Sequence, residues 1–98
     1  MSTLRQTETF EDWFKSLGDE NAKRRIAQRL VRVQAGLLGD VKPVGEGVSE
    51  LRVDYGPGYR LYFVRRGKET VVLLCGGEKG SQDRDIRVAK AMAKEIEA

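Results

Sequence analysis

Apolar residues recur along this chain first at helical spacing and then at strand spacing. In ETFEDWFKSL, Phe10, Trp13, Phe14 and Leu17 share one helical face, Thr7 or Thr9 can cap it, and Gly18 ends it. DENAKRRIAQRLVRVQAG repeats the pattern, with Asp19 as N-cap, Ala22, Ile26, Leu30 and Val33 on one stripe, and Gly36 as the stop. The tight corner Leu17-Gly18-Asp19 makes the two a helical hairpin. A short strand over residues 2–6, STLRQ, precedes them, and the glycine-rich LLGDVKPVGEGV reads as a loop leading from helices to sheet.

From Val48 the period becomes two. Leu51, Val53 and Tyr55 alternate with Arg52 and Asp54, GPG turns the chain, and Tyr59, Leu61 and Phe63 alternate with Arg60, Tyr62 and Val64. RRGKE turns again into TVVLLCG, apolar on both faces as in a covered central strand. Residues 78–83 read as a polar loop, and DIRVAKAMAKEIEA closes the chain as a helix bearing Ile86, Ala89, Ala93 and Ile96. The expected architecture is α+β, a single domain over 1–98 in the order β-α-α-β-β-β-α, with a helical hairpin packed on a small antiparallel sheet and the helices on one sheet face.

If Leu51, Val53, Leu61 and Phe63 face the helices, alternation gathers Arg52, Arg60 and Tyr62 on the opposite, open face. Arginines on adjacent strands repel unless an anion or a carboxylate sits between them, so such a pair suits phosphate recognition. The plainer alternative is a solvated face in which Arg60 pairs with Asp54 or Glu50. The loop CGGEKGSQDRD adds Lys79, Gln82, Arg84 and Asp85 where the last strand ends, and its glycines let backbone N–H groups approach an anion. Asp83 or Asp85 can equally cap the final helix, and Lys68 stands in the preceding hairpin turn. Lys23, Arg24, Arg25, Arg29 and Arg32 form the densest basic run. They spread over more than one helical face, which suits a solvated surface or a phosphate contact without sequence information.

Composition narrows the chemistry. With no histidine and one cysteine, thiol–imidazole pairs, Ser-His-Asp triads and His/Cys zinc sites are unavailable, which leaves Arg, Lys, Tyr, Asp, Glu or backbone for any catalysis. The net charge of +3 is a mild excess of base, compatible with a polyanionic partner. Cys75 lies in an apolar run and has no disulfide partner, and the N-terminus lacks a secretory h-region, so a reducing, cytoplasmic setting without membrane contact is expected.

ELRVDYGPGYRLYFVRRG followed by VVLLCGGEKGSQDRDIRVAKAMA, together with the LRQTETFEDWFKSL opening, resembles the RelE/ParE superfamily of toxins, and within it the HigB-like branch of addiction module killer proteins. The resemblance spans nearly the whole chain. It implies cleavage of messenger RNA in the ribosomal A site without metal or other cofactor, by attack of the 2′-hydroxyl on the adjacent phosphate. By the same resemblance, Arg60 of GYRLYF matches the strand arginine at the scissile phosphate, Arg52 of ELR a neighbouring basic position, and Lys79 of GGEKGSQ the basic residue after the last strand. Many relatives place a tyrosine or histidine near the start of the last helix, where this chain reads SQDRDIR. The general base is thus left open between Asp85 and Tyr62, while Arg52, Lys68, Gln82 and Arg84 are expected on the RNA. The implied partners are a cognate helix-turn-helix antitoxin, the ribosome with its message, and operator DNA only through the antitoxin complex. The alternative is the gyrase-inhibiting activity of the ParE branch.

Overall fold

Two apolar stripes in the sequence become two cores, one on each face of a single sheet. The computed structural model describes residues 3–97, so Ser2 of the expected first strand and Ala98 of the expected last helix lie outside the described residues. In chain order the elements are β1 (Thr3–Gln6), α1 (Glu8–Ser16), α2 (Glu20–Gln34), β2 (Val41–Gly45), β3 (Val48–Val53), β4 (Tyr59–Arg66), β5 (Thr70–Glu78), a 3-10 turn (Lys79–Ser81) and α3 (Gln82–Glu97). The strands line up as β1-β5-β4-β3-β2. β1 runs parallel to β5 while every other pair is antiparallel, so the sheet is mixed.

The helical hairpin forms where its capping chemistry dictates. Thr7 accepts from the Phe10 amide and Asp19 from the amides of Asn21 and Ala22, supplying partners to donors that the first helical turn leaves free. Thr7 Oγ1 also donates to the Leu74 carbonyl at 2.6 Å, fastening the start of α1 to β5. Phe10, Ala22, Ile26, Leu30 and Val33 are buried against Leu51, Leu61, Phe63 and Leu73, which is the first core. Gly36, at φ +89, takes the left-handed conformation just past the end of α2.

The expected loop between helices and sheet contains a strand. β2 forms the sheet's outer edge against β3, where Pro43 is tolerated because an edge strand needs donors on one side only. Its hairpin turns on Glu46 and Gly47, both at positive φ, the geometry that matches the twist of the paired strands. Glu46 is a rare residue for that conformation, and its carboxylate pairs with Lys90 and Lys94 of α3 at 3.6 and 3.4 Å.

The helices do not share one face. α3 lies across the sheet from the hairpin, and Ala89 and Ala93 bury a second core with Val48, Tyr62, Val64, Val72, Leu74 and Cys75. A bulge on β5 widens this second core. Tyr62 opposes Cys75 while Phe63 opposes Leu73, so Leu74 is the extra residue, and it and Cys75 both join the α3 core. No helix among the described residues is long and apolar enough to cross a membrane.

Candidate functional site: a cationic cleft over a buried glutamate

Arg52 on β3 and Arg60 on β4 stand directly opposite each other in the antiparallel register. Two guanidinium groups so placed repel, and what holds them is Glu50, two residues before Arg52 on the same strand face. Its side chain is fully buried. Oε1 lies 3.1 Å from Arg52 Nε and 3.7 Å from Arg60 Nη1. Oε2 accepts from Tyr62 Oη at 3.3 Å and from Gln82 Nε2 at 2.7 Å. A buried carboxylate is tolerated only with charge and hydrogen bonds around it, and these four groups supply both. Arg60 is itself 12% exposed, and its buried Nε has no hydrogen-bond partner.

The Asp54–Gly58 turn between β3 and β4 brings a third cation to the pair. The Lys79 amide donates to the Gly58 carbonyl at 2.8 Å, which stitches the 3-10 turn onto that corner. Arg52, Arg60 and Lys79 thereby line one open cleft of about 360 Å³, with Asp54, Gly56, Pro57 and Gly58 forming its floor and rim. Lys79 also borders a second hollow of about 460 Å³ with Gln82, Arg84 and Arg87. An extended anion laid across both would meet cations along its length.

The glycines of CGGEKG are strand residues. Gly76 and Gly77 continue β5 opposite Leu61 and Arg60, and each is small because something presses on it. A Cβ at Gly76 would lie 2.3 Å from the Trp13 ring, and one at Gly77 1.9 Å from Asp85 Oδ2. Asp85 is therefore seated against the backbone beside Arg60, where it accepts from Ser81 Oγ at 2.5 Å and lies 3.6 Å from Arg84 Nε.

The family profile described as phage derived protein Gp49-like (DUF891) matches residues 12–97. The chain belongs to that family. A Haemophilus influenzae protein described as uncharacterized is 44% identical over 93 residues, covering 95% of this Gp49-like chain and 94% of the relative. Solved structures of E. coli RelE share the fold. A free-state mutant of that toxin superposes with a TM-score of 0.73 at 17% identity, over 92% of this chain and 94% of the other. A chain of the intact E. coli RelBE toxin-antitoxin complex gives a TM-score of 0.65 at 18% identity, over 80% of this chain and 96% of the other.

In the Gp49-like chain the expected open face is only partly open. Its Arg52–Arg60 end reaches the cleft, but α3 covers the rest, so Tyr62 is fully buried. Burial, followed by the nearby Glu50 and Asp85 charges, raises the Tyr62 pKa well above the usual phenol value, and its hydroxyl keeps its proton for Glu50. Tyr62 is thus a support of the cluster with no path to solvent, contrary to its expected place on an exposed face. Gln82 is likewise turned inward onto Glu50, while Arg84 is exposed at the second hollow. Lys68 sits in the turn at the opposite end of β4 from Arg60, away from the cleft. Asp83 and Asp85 lie inside the first turn of α3, which begins at Gln82, so neither is its N-cap.

Of the basic run on α2, Arg29 is committed to structure, donating to the carbonyls of Arg52 at 2.5 Å and Leu38 at 2.9 Å, and Arg25 lies over the Tyr55 ring at 4.7 Å. Sequence reasoning missed two residues of the Gp49-like site. Glu50 entered only as a possible partner of Arg60, although its alternation with Arg52 placed it on the same face. Arg87 was passed over, although it follows Arg84 by three residues on a helix and so shares its side.

Proposed function

We propose that this chain is the toxin of a toxin–antitoxin pair, on the HigB-like side of the RelE/ParE superfamily, and that it inhibits translation by cutting messenger RNA on the ribosome. The observation that carries this reading is the convergence of Arg52, Arg60 and Lys79 on one cleft. Three cations, Arg52, Arg60 and Lys79, face two carboxylates, Glu50 beneath the arginine pair and Asp54 on the cleft wall, which leaves a surplus of positive charge suited to a phosphodiester. The fold shared with free RelE toxin and with a chain of the RelBE toxin-antitoxin complex supports an antitoxin partner. In this reading the antitoxin is a helix-turn-helix protein through which the pair reaches operator DNA.

The chemistry is transesterification. The RNA 2′-oxygen bonds to the adjacent phosphorus, the bond from phosphorus to the 5′-oxygen breaks, and the products are a 2′,3′-cyclic phosphate and a 5′-hydroxyl. The proton leaving the 2′-hydroxyl goes to a base, and one is delivered to the departing 5′-oxygen. Arg60 and Lys79 stabilise charge growing on the non-bridging oxygens while Arg52 orients the backbone. Between the two candidate bases, Asp85 is largely buried but borders a hollow of its own beside Gly77 and Ser81, whereas Tyr62 has neither access nor a suitable pKa. Cleavage then depends on the ribosome to align the 2′-hydroxyl, since alignment is the larger part of what a site without a strong base can use.

A cell-free translation reaction with an end-labelled message tests this. Wild-type protein is expected to yield 5′-hydroxyl fragments only when ribosomes are present, and Arg60→Ala to slow the cut by about 10²–10³-fold. Intact message with undisturbed translation would refute the reading, and gyrase-dependent DNA breaks would replace it with the ParE-like one.

A further inference from the structure

We propose that Glu50 is a positioning residue which holds the Arg52–Arg60 pair in a single, phosphate-ready arrangement, with Gln82 locking the glutamate from α3. The inference deepens the nuclease reading and rests on it for its consequence, though its geometry stands independently. Glu50 is fully buried, and each of its oxygens touches two groups: Oε1 the arginines, Oε2 the Tyr62 hydroxyl and the Gln82 amide. Fold stability alone is a poor reason for this arrangement. A buried ion pair is seldom worth more than well-packed apolar side chains of the same volume. What the carboxylate does supply is a fixed point between two like charges that register would otherwise drive apart.

The carboxylate also competes with the ligand. Arg52 Nε and Arg60 Nη1 are both turned to Oε1, so an incoming phosphate shares these guanidinium groups with a charge already present. Replacing Glu50 by the isosteric glutamine removes that competitor and the restraint together. The phosphate then no longer shares the two guanidinium groups with Glu50 and binds more tightly, while guanidinium groups free to spread stabilise the transition state less well. Binding and cleavage should therefore move in opposite directions. A residue needed only for folding moves both down.

Four measurements on the full chain decide it: thermal unfolding, affinity for a short single-stranded RNA, arginine side-chain NMR, and cleavage in the translation reaction. Wild type is expected to give well-dispersed signals for Arg52 Hε and for the Arg60 Hη protons, the groups that face Glu50. In a folded Glu50→Gln these collapse toward the solvent-averaged position, RNA affinity rises about threefold or more, and cleavage falls about 10²-fold. If Glu50→Gln does not fold, Gln82→Ala removes one support without changing charge, and should broaden the Arg60 signal and slow cleavage about tenfold. Unmoved arginine signals in the folded variant, or affinity and cleavage falling together, would overturn the proposal. If wild type cuts no message, the nuclease reading fails, and the arginine signals alone still decide whether Glu50 positions the pair.

Discussion

Gly76→Ala sets the fold against a general rule. Glycine in a strand ordinarily weakens it, so alanine should stabilise by about 0.5–1 kcal/mol. Here the new methyl would sit 2.3, 2.4 and 2.6 Å from Trp13 Cε3, Cζ3 and Cδ2. Restoring an ordinary carbon contact of about 3.5 Å requires the ring to retreat by about 1 Å. The ring is not free to do so, because it packs on Phe10 and Tyr59 with centroids 5.7 and 6.2 Å away. Overpacking of this kind costs about 1–3 kcal/mol, and a rigid indole belongs in the upper half of that range. Net of the backbone gain, the domain loses about 1–2.5 kcal/mol, which for a chain of this size lowers the melting temperature by about 4–20 °C. Circular dichroism melts and urea midpoints at constant m-value measure it, and the single tryptophan gives a second readout as its emission shifts toward the solvent-exposed value. Trp13→Leu in the same chain should recover part of the loss, since the two sites touch. A melting temperature equal to or above wild type would refute the claim that close approach of Trp13 is why glycine stands at this position.

Two further predictions concern buried titrating groups. Cys75 is buried, and burial followed by the Asp85 charge pushes its thiol up to about 12, so it should resist a thiol reagent at pH 8 in the native protein and react fully in denaturant; rapid native labelling would show that α3 does not cover it. Tyr62 and Tyr59 both have pKa values raised in the fold, first by burial, with Glu50 next for one and Glu78 for the other. The unfolded phenols release protons near their ordinary value of about 10 while the folded ones hold theirs, so this stabilisation is fully present below about pH 10 and is lost as pH rises beyond it. Urea midpoints should fall across that alkaline range, and Tyr62→Phe should flatten the fall; a profile unchanged by the substitution would remove Tyr62 from the buried set.

How much of this was legible in the sequence depended on range. The hairpin helices were readable because their signals are local: Asp19 caps, Gly36 stops, and Ala22, Ile26, Leu30 and Val33 all reach the core. β2 was hidden because Pro43 and the glycines around it carry the marks of a loop, and only its position at the sheet edge makes them compatible with a strand. Alternation correctly put Arg52, Arg60 and Tyr62 on one side, but strand spacing does not say what a distant helix covers. Tyr62 and Val64 are apolar residues on that same face, and TVVLLC is apolar on both sides, so the pattern itself calls for a cover that spacing alone cannot supply. The parallel seat of β1 beside β5 had no local signal, since it joins residues some sixty-seven positions apart, as in Thr3 with Thr70.

The most direct test of the central claim is to induce wild-type protein and Arg60→Ala in bacteria and map messenger RNA 5′ ends within minutes. New 5′-hydroxyl ends in register with codons, present with wild type and absent with a folded Arg60→Ala, are the predicted result. Growth arrest by wild type with messages left whole, or equal cleavage by the variant, would contradict the account and leave the cleft without the chemistry assigned to it.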